Sequence, residues 1–184
     1  MDIVSVLFPL NKYFVHELYR VNSYEIKHEC DTMVAFKAVL MGESGVGKTT
    51  LSRMLQNKNI EVPRKPTIGV DIEKVKSDAG NICVWDLAGQ RRFQFMWDEF
   101  MKGSNLTILV TDSSPKNVHL TKDIMKRHLK NKGSKVIAIA NKQDLKGRLS
   151  PKQIQEMLGV PTYGMIGVNH QNKNKLESIL KRNL

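Results

Sequence analysis

The segment LMGESGVGKTTL, Leu40 to Leu51, constrains this chain more than any other. Gly42 and Gly47 bracket four residues, and Lys48 and Thr49 follow at once. An apolar run, Val34 to Met41, comes before the segment, and a helical pattern over 47–57 comes after it. Glycines at such a strand-to-helix turn let the backbone wrap closely, so that successive N–H groups point inward at phosphate oxygens. The helix behind the turn adds unpaired N–H groups and the positive end of its dipole. The pattern therefore predicts a phosphate-binding loop made of Glu43, Ser44, Gly45, Val46, Gly47, Lys48, Thr49 and Thr50. Lys48 supplies a point charge for the outer phosphates, and the Thr49 hydroxyl is a ligand for Mg2+.

The rest of the chain alternates strand and helix patterns. VDIEKVK (70–76) alternates apolar and polar residues, ICVWDL (82–87) is mostly apolar, and SDAGN between them reads as a hairpin turn. LTILVTD (106–112) and KVIAIAN (135–141) are continuous apolar runs, as in strands covered on both faces. Helices are predicted over 115–131 and 150–158, the second with Ser150 as cap and Pro151 in its first turn. A short strand at 162–168 and a last helix at 171–182 complete the pattern. The fold class is thus α/β: a mainly parallel six-stranded sheet, one strand antiparallel, helices on both faces.

The loop alone says nucleoside triphosphate; later residues say which. Asn141-Lys142-Gln143-Asp144 closes an apolar strand, where α/β sheets bind ligands. The Asp144 carboxylate can accept hydrogen bonds from the N1–H and 2-amino group of guanine, a donor pair adenine lacks, while Asn141 and the Lys142 stem brace base and loop. Asp86-Leu87-Ala88-Gly89-Gln90 also follows a strand: Asp86 is placed to hold Mg2+, the Gly89 N–H to meet the γ-phosphate, and Gln90 to orient the attacking water. Thr67, in the loop after the first helix, offers its hydroxyl to the same ion. The metal ligands read from the sequence are therefore Thr49, Thr67 and Asp86, and the catalytic residues Lys48, Thr67 and Gln90.

With these motifs in order, residues 35–184 resemble the small Ras-like GTPases, a P-loop NTPase fold. GESGVGKT and WDLAGQRRF look like the Rab branch. PTIGVDI fits Rab or Arf, and the 19-residue interval from Thr67 to Asp86 is the short interswitch typical of Arf-like proteins. The resemblance implies a GTP/GDP switch in which GTP with Mg2+ orders the loops around Thr67 and Gly89–Phe100. It also implies an exchange factor, a GTPase-activating protein, and effectors that bind the switch and interswitch regions. A backbone N–H near Val168-Asn169 should meet the guanine carbonyl, although the family's Ser-Ala-Lys-like pattern is absent there. Arg64, three residues before Thr67, matches the offset of the built-in arginine finger of heterotrimeric G-protein α-subunits, and is set against a solvated loop arginine. Trp85, Phe93, Phe95, Trp97 and Phe100 are read either as core or as an effector patch, with Trp85 the best fit to the patch.

Charge and termini narrow the remaining choices. The formal charge is +11, with residues 1–34 at net −2 and residues 115–184 at net +11. The basic half reads as solvated helix faces or as a surface for an anionic membrane or RNA. Residues 1–33 form an N-terminal extension, with a helix opening at Pro9 and running to about Val21; Met33 as the true start is the alternative. Residues 34–184 form the nucleotide-binding domain. Asp2 stands where N-myristoylation needs a glycine, and neither a 20-residue apolar span nor a C-terminal cysteine for prenylation occurs. The expectation is a cytoplasmic monomer with no lipid anchor, peripheral to membranes at most. Two cysteines without metal spacing argue against a disulfide framework. Two alternatives stay open: a GTP-dependent binding module that hardly hydrolyses, and a GTPase that binds RNA.

Overall fold

The computed structural model describes residues 36–60, 66–77, 80–130 and 133–184. The N-terminal helix expected from Pro9 and the Arg64 finger fall outside these residues. Six strands form one sheet: β1 (Phe36–Met41), β2 (Val70–Ser77), β3 (Gly80–Leu87), β4 (Leu106–Thr111), β5 (Lys135–Ala140) and β6 (Thr162–Gly164), in the order β2-β3-β1-β4-β5-β6. All pairs are parallel except β2–β3, the antiparallel hairpin, with Val70 opposite Leu87 and Ser77 opposite Gly80. Among the described residues five α-helices accompany the sheet: α1 (Lys48–Leu55), α2 (Trp97–Phe100), α3 (Pro115–His128), α4 (Pro151–Leu158) and α5 (Lys173–Asn183). The predicted fold class is the observed one.

Period-two alternation in the central strands feeds two cores. Ala38, Leu40, Ile108, Val110, Ile137 and Ile139 share a cluster with Leu51, Met54 and Leu55 of α1 and Leu176, Ile179 and Leu180 of α5. Their neighbours Val39, Met41, Leu109, Ala138 and Ala140 are equally buried but outside that cluster, as are Val118 and Ile124 of α3 and Ile154 of α4. In line with this, α1 packs on α5 and α3 packs on α4. Burying a Leu or Ile side chain contributes about 1.5–3 kcal/mol, so these two layers are the main hold on the strand ends where the site forms.

Local chemistry sets the helix ends. Ser114 caps α3, accepting from Asn117 N, and Pro115 opens it. Ser150 and Gln153 close a reciprocal capping box at α4, again with a proline in the first turn, and Gly159 ends the helix at φ 72°. Three elements differ from the sequence expectation. The strand at 162–168 is only Thr162–Gly164, because Met165 N bonds Ala140 O and the chain then turns. The last helix starts at Lys173, after a 3-10 turn His170–Asn172. The segment Arg91–Met96 forms a 3-10 turn leading into α2, which no periodic pattern announced.

Of the two readings of Trp85, core or patch, the structure bears out core: the side chain is 3% exposed. Its strand lies between β2 and β1, so neither edge is free. The Lys37 ammonium sits 3.7 Å from its ring centroid, and the Phe100 ring lies 6.0 Å away. Cys83 is buried on β3.

Candidate functional site

The site forms where β1, β3 and β5 end on one side of the sheet. The loop from β1 to α1 turns through three glycines with positive φ, Gly42 (146°), Gly45 (78°) and Gly47 (104°). Two of these positions admit no side chain: a Cβ on Gly42 would overlap Val110 O, and one on Gly47 would overlap Asn141 Nδ2. The loop is therefore pressed against the ends of β4 and β5, and its peptide groups line a concave surface.

A cleft of about 230 Å³ opens on this surface, lined by Ser44, Gly45, Gly47, Lys48, Thr49, Thr50, Pro66, Thr67 and Gly89. Lys48, the first residue of α1, is 6% exposed, and its ammonium donates to Gly42 O at 2.9 Å and Glu43 O at 2.8 Å. Burial lowers its pKa to about 8; the nearby charges of Asp86 and Glu43 act in the opposite direction.

Beside it three oxygens converge. Thr49 Oγ1 donates a short hydrogen bond to Asp86 Oδ2 and lies 3.0 Å from Thr67 Oγ1, which is 3.5 Å from the same carboxylate oxygen. Asp86 is 1% exposed, and its Oδ1 has no hydrogen-bond partner. Burial raises its carboxyl pKa to about 6, against the lowering effects of the Thr49 hydrogen bond and the Lys48 charge; Asp71 raises it further. Two hydroxyls and a buried carboxylate with a spare lone pair make an oxygen-only set that suits a small hard cation. Among the described residues no cluster of three His, Cys, Asp or Glu occurs. Such a set leaves several positions of an octahedral ion to water and phosphate, the usual situation for Mg2+.

The far wall of the cleft comes from the end of β3. Ala88 N bonds Gly69 O at 2.8 Å, tying the Thr67 loop to the Gly89 loop, and Trp97 Nε1 donates to Ala88 O at 3.1 Å. A Cβ on Gly89 would come 2.5 Å from Glu43 C and Ser44 N, so the two loops touch through their backbones. Gln90 is half-buried next to Gly89 but does not line the cleft.

The segment Asn141–Asp144, read from the sequence as recognising a base, is joined by hydrogen bonds to the glycine-rich loop after β1. Asn141, 3% exposed, donates from Nδ2 to Val46 O at 2.8 Å and accepts at Oδ1 from Gly167 N at 2.9 Å. Lys142, in the left-handed region at φ 59°, donates to Gly45 O at 2.8 Å. Asp144 is exposed just beyond them, and Val168, 69% exposed, sits on the loop that Gly167 anchors. Asn169 accepts from Gln171 N at 2.9 Å, so its side chain serves the turn into α5. Arg64 apart, the residues the sequence singled out for nucleotide thus stand at one end of the sheet, though Glu43, Val46, Asp86, Gln90, Asn141, Lys142, Asp144, Val168 and Asn169 are not among those lining the cleft.

Four positions were not foreseen. Pro66 lines the cleft next to Thr67. Gly167 reaches Asn141 through a backbone N–H, which leaves no side-chain signature. Ser113 is fully buried at φ 65°; its Oγ donates to Asn141 O at 2.6 Å and accepts from Gln143 Nε2 at 2.7 Å. Gln143 also donates to Leu149 O at 3.1 Å. A non-glycine residue at positive φ is a structural signal, but it is invisible in sequence.

Comparisons with known proteins agree with this geometry. The signature of "Arf: ADP-ribosylation factor family" matches residues 25–180. The ADP-ribosylation factor-like protein 5 of Dictyostelium discoideum is 31% identical over 130 residues, covering 68% of this chain and 70% of that protein. Its namesake in Caenorhabditis elegans is 29% identical over 131 residues, covering 69% and 73%. The solved structure of the Arl6 BBS3 small GTPase from Trypanosoma brucei, with bound nucleotide analogue GppNp, shares the fold at a TM-score of 0.66 and 21% identity, over 81% of this chain and 99% of that one. The chain belongs to the ADP-ribosylation factor family, the Arf-like branch of the Ras superfamily of GTP-binding switches.

Proposed function

We propose that residues 34–184 are the nucleotide-binding domain of a switch that binds GTP and GDP with Mg2+ and hydrolyses GTP to GDP and phosphate. The observation that carries this reading is the convergence of the Thr49, Thr67 and Asp86 oxygens on one point beside the Lys48 ammonium.

In this reading the loop amides of 43–48 and the start of α1 receive the phosphates, and Lys48 turns from its two carbonyls toward their outer oxygens. Thr49, Thr67 and Asp86 would hold the metal, with the orphan Asp86 Oδ1 free to bind a coordinated water. A magnesium ion held there neutralises charge on the β- and γ-phosphate oxygens. Asp144 and the backbone around Val168 and Asn169 choose guanine. Asn141 and Lys142 couple that choice to the phosphate loop.

Hydrolysis forms one bond from a water oxygen to the γ-phosphorus and breaks the bond to the bridging oxygen of GDP; the water's protons pass to phosphate and solvent. Gln90 orients that water, and the Gly89 N–H meets the γ-phosphate. Catalysis here is positioning and electrostatics, with no covalent step for the protein to perform. Because the Thr67 and Gly89 loops are hydrogen-bonded through Gly69 O and Ala88 N, loss of the γ-phosphate releases both together. Effectors would bind the γ-phosphate-ordered surface, an exchange factor and a GTPase-activating protein would set the rates, and the protein would work in the cytoplasm or at a membrane surface.

Calorimetry with GTP, GDP and ATP on magnesium-loaded protein, followed by multiple-turnover phosphate release, tests the proposal. Tight GTP and GDP binding, ATP at least 100-fold weaker, and measurable release are expected. Equal affinity for ATP, or no uptake of either guanine nucleotide, would overturn it.

A further inference from the structure

A second concavity, about 660 Å³, lies between the 3-10 turn Arg91–Met96 and helix α3, and it shares no residue with the nucleotide cleft. Its turn side is Arg91, Gln94 and Phe95; its helix side is Leu120, Asp123, Lys126, Arg127 and His128. The spacings i, i+3, i+4 on the turn and i, i+3, i+7 on the helix put these side chains face to face across the groove.

The floor is apolar and the rim is basic. Phe95 is 42% exposed and Leu120 is half-buried. Arg91, Lys126 and Arg127 are exposed, and no ion pair among the described residues engages any of them. Asp123 is the one carboxylate in the lining, so three fixed cations face one anion. The Arg127 guanidinium is laid across the groove by a 3.3 Å bond to Asp123 O and a 3.5 Å contact to Gln94 Oε1. Gln94 is 5% exposed, and its Nε2 donor has no hydrogen-bond partner. His128 is otherwise engaged, 5.1 Å from the Trp97 ring and 3.6 Å from Asp98.

A buried donor without an acceptor is destabilising, and a docked carbonyl or carboxylate oxygen would give it a partner once the Gln94 amide turns toward the groove. A concave site with an apolar floor, unpaired cations on its rim and a spare donor in its wall fits a protein segment better than a flat bilayer. RNA is less suited, since the lining offers a single phenyl ring for stacking bases.

We propose that this groove docks an acidic segment of a partner protein, with an apolar side chain between Phe95 and Leu120 and carboxylates on Arg91, Lys126 and Arg127. Arg91 directly follows Gln90, so the groove wall moves with the γ-phosphate sensor; this nucleotide dependence rests on the switch reading above.

The test is a selection of random 12-residue peptides displayed on phage against the protein loaded with a non-hydrolysable GTP analogue. Enriched peptides are expected to carry several Asp or Glu around a Leu, Met or Phe. Their synthetic forms, followed by fluorescence anisotropy, should weaken at least tenfold on the double substitution Arg91→Glu, Arg127→Glu and several-fold on Lys126→Glu alone. They should also weaken between 50 and 500 mM salt. Bound nucleotide is measured on the same samples. Fully loaded double variant that binds the peptides as tightly as the unaltered protein, or selected peptides without acidic bias, overturns the groove. Vesicles of phosphatidylserine that bind the protein and lose it on the same charge reversal, with no acidic peptide selected, assign the patch to a membrane and also overturn the proposal. Acidic peptides that bind equally well to protein holding no guanine nucleotide support the groove and count against the switch.

Discussion

Gly47 and Asn141 are fitted to each other: the amide of Asn141 occupies the space a Cβ on Gly47 would take, and donates from there to the neighbouring Val46 O at 2.8 Å. Gly47 also sits at φ 104°, a region L residues enter at a cost of about 1–2 kcal/mol. Gly47→Ala therefore strains the loop and pushes away the residue that joins phosphate loop to base loop. The expected outcome is a loss of GDP affinity of tenfold or more, since about 1.4 kcal/mol is a factor of ten. Titration with a fluorescent GDP analogue checks it; an affinity within twofold of the unaltered protein would contradict it.

Ser113 holds the same base loop from its other side. Its hydroxyl donates to Asn141 O at 2.6 Å and accepts from Gln143 at 2.7 Å. Ser113→Ala leaves a buried carbonyl and a buried amide each short of one partner, at about 1–3 kcal/mol. GDP and GTP should both dissociate roughly tenfold faster, with the magnesium dependence of binding unchanged, because the lost bonds lie at the base end. A nucleotide chase at several magnesium concentrations reads both effects.

These two pairs also mark what a sequence can and cannot disclose. Lys48, Thr49, Asp86 and Asn141–Asp144 stood out in the sequence because the proposed phosphate, metal and guanine contacts would each demand a particular side chain, and the structure brings these residues to one end of the sheet. Ser113 and Gly167 act through backbone geometry and a buried hydroxyl, for which any small residue looks alike in sequence. The central strands were readable from continuous apolar runs. The 3-10 turn Arg91–Met96 was not, since its RRFQFM has no single period. The sequence left Trp85 open between core and patch, because a strand's residues do not show which of its two faces is covered.

On the proposed assignment, Asp86 sets a pH limit on metal binding. Burial holds its carboxyl pKa at about 6, and only the ionised form binds a cation. Magnesium affinity should be flat above about pH 7 and fall toward tenfold per unit below about pH 6, where protons compete for the same oxygens. For the metal-free fold the sign is reversed: a carboxyl pKa raised from 3.8 to about 6 means that ionised Asp86 costs stability above pH 6, and the cost disappears as pH falls from 6 toward 4. Asp86→Asn should remove that cost and raise the melting temperature of metal-free protein, while weakening magnesium-dependent nucleotide binding strongly. Calorimetric magnesium titrations between pH 5 and 8 and thermal melts in chelator separate the two effects; a melting temperature lowered by the substitution would contradict the argument.

On the proposed mechanism, Gln90 separates binding from turnover. It is half-buried beside Gly89, and its side chain is absent from the lining of the cleft that holds Lys48 and Thr49. Its backbone carbonyl accepts from Phe93 N at 2.9 Å, so the turn that follows fixes its main chain. Gln90→Leu keeps that main-chain bond and removes only the amide that would orient water. Affinity for GTP and GDP should therefore stay within about threefold. Hydrolysis under single-turnover conditions should fall by tenfold or more, since an oriented water is much of what the site contributes to rate. Leucine is also large and apolar, so the smaller Gln90→Ala must show the same split if orientation of water, and not bulk, is the cause. Equal hydrolysis by Gln90→Leu and the unaltered protein would assign the water to another group and leave this residue a structural place at the start of the turn.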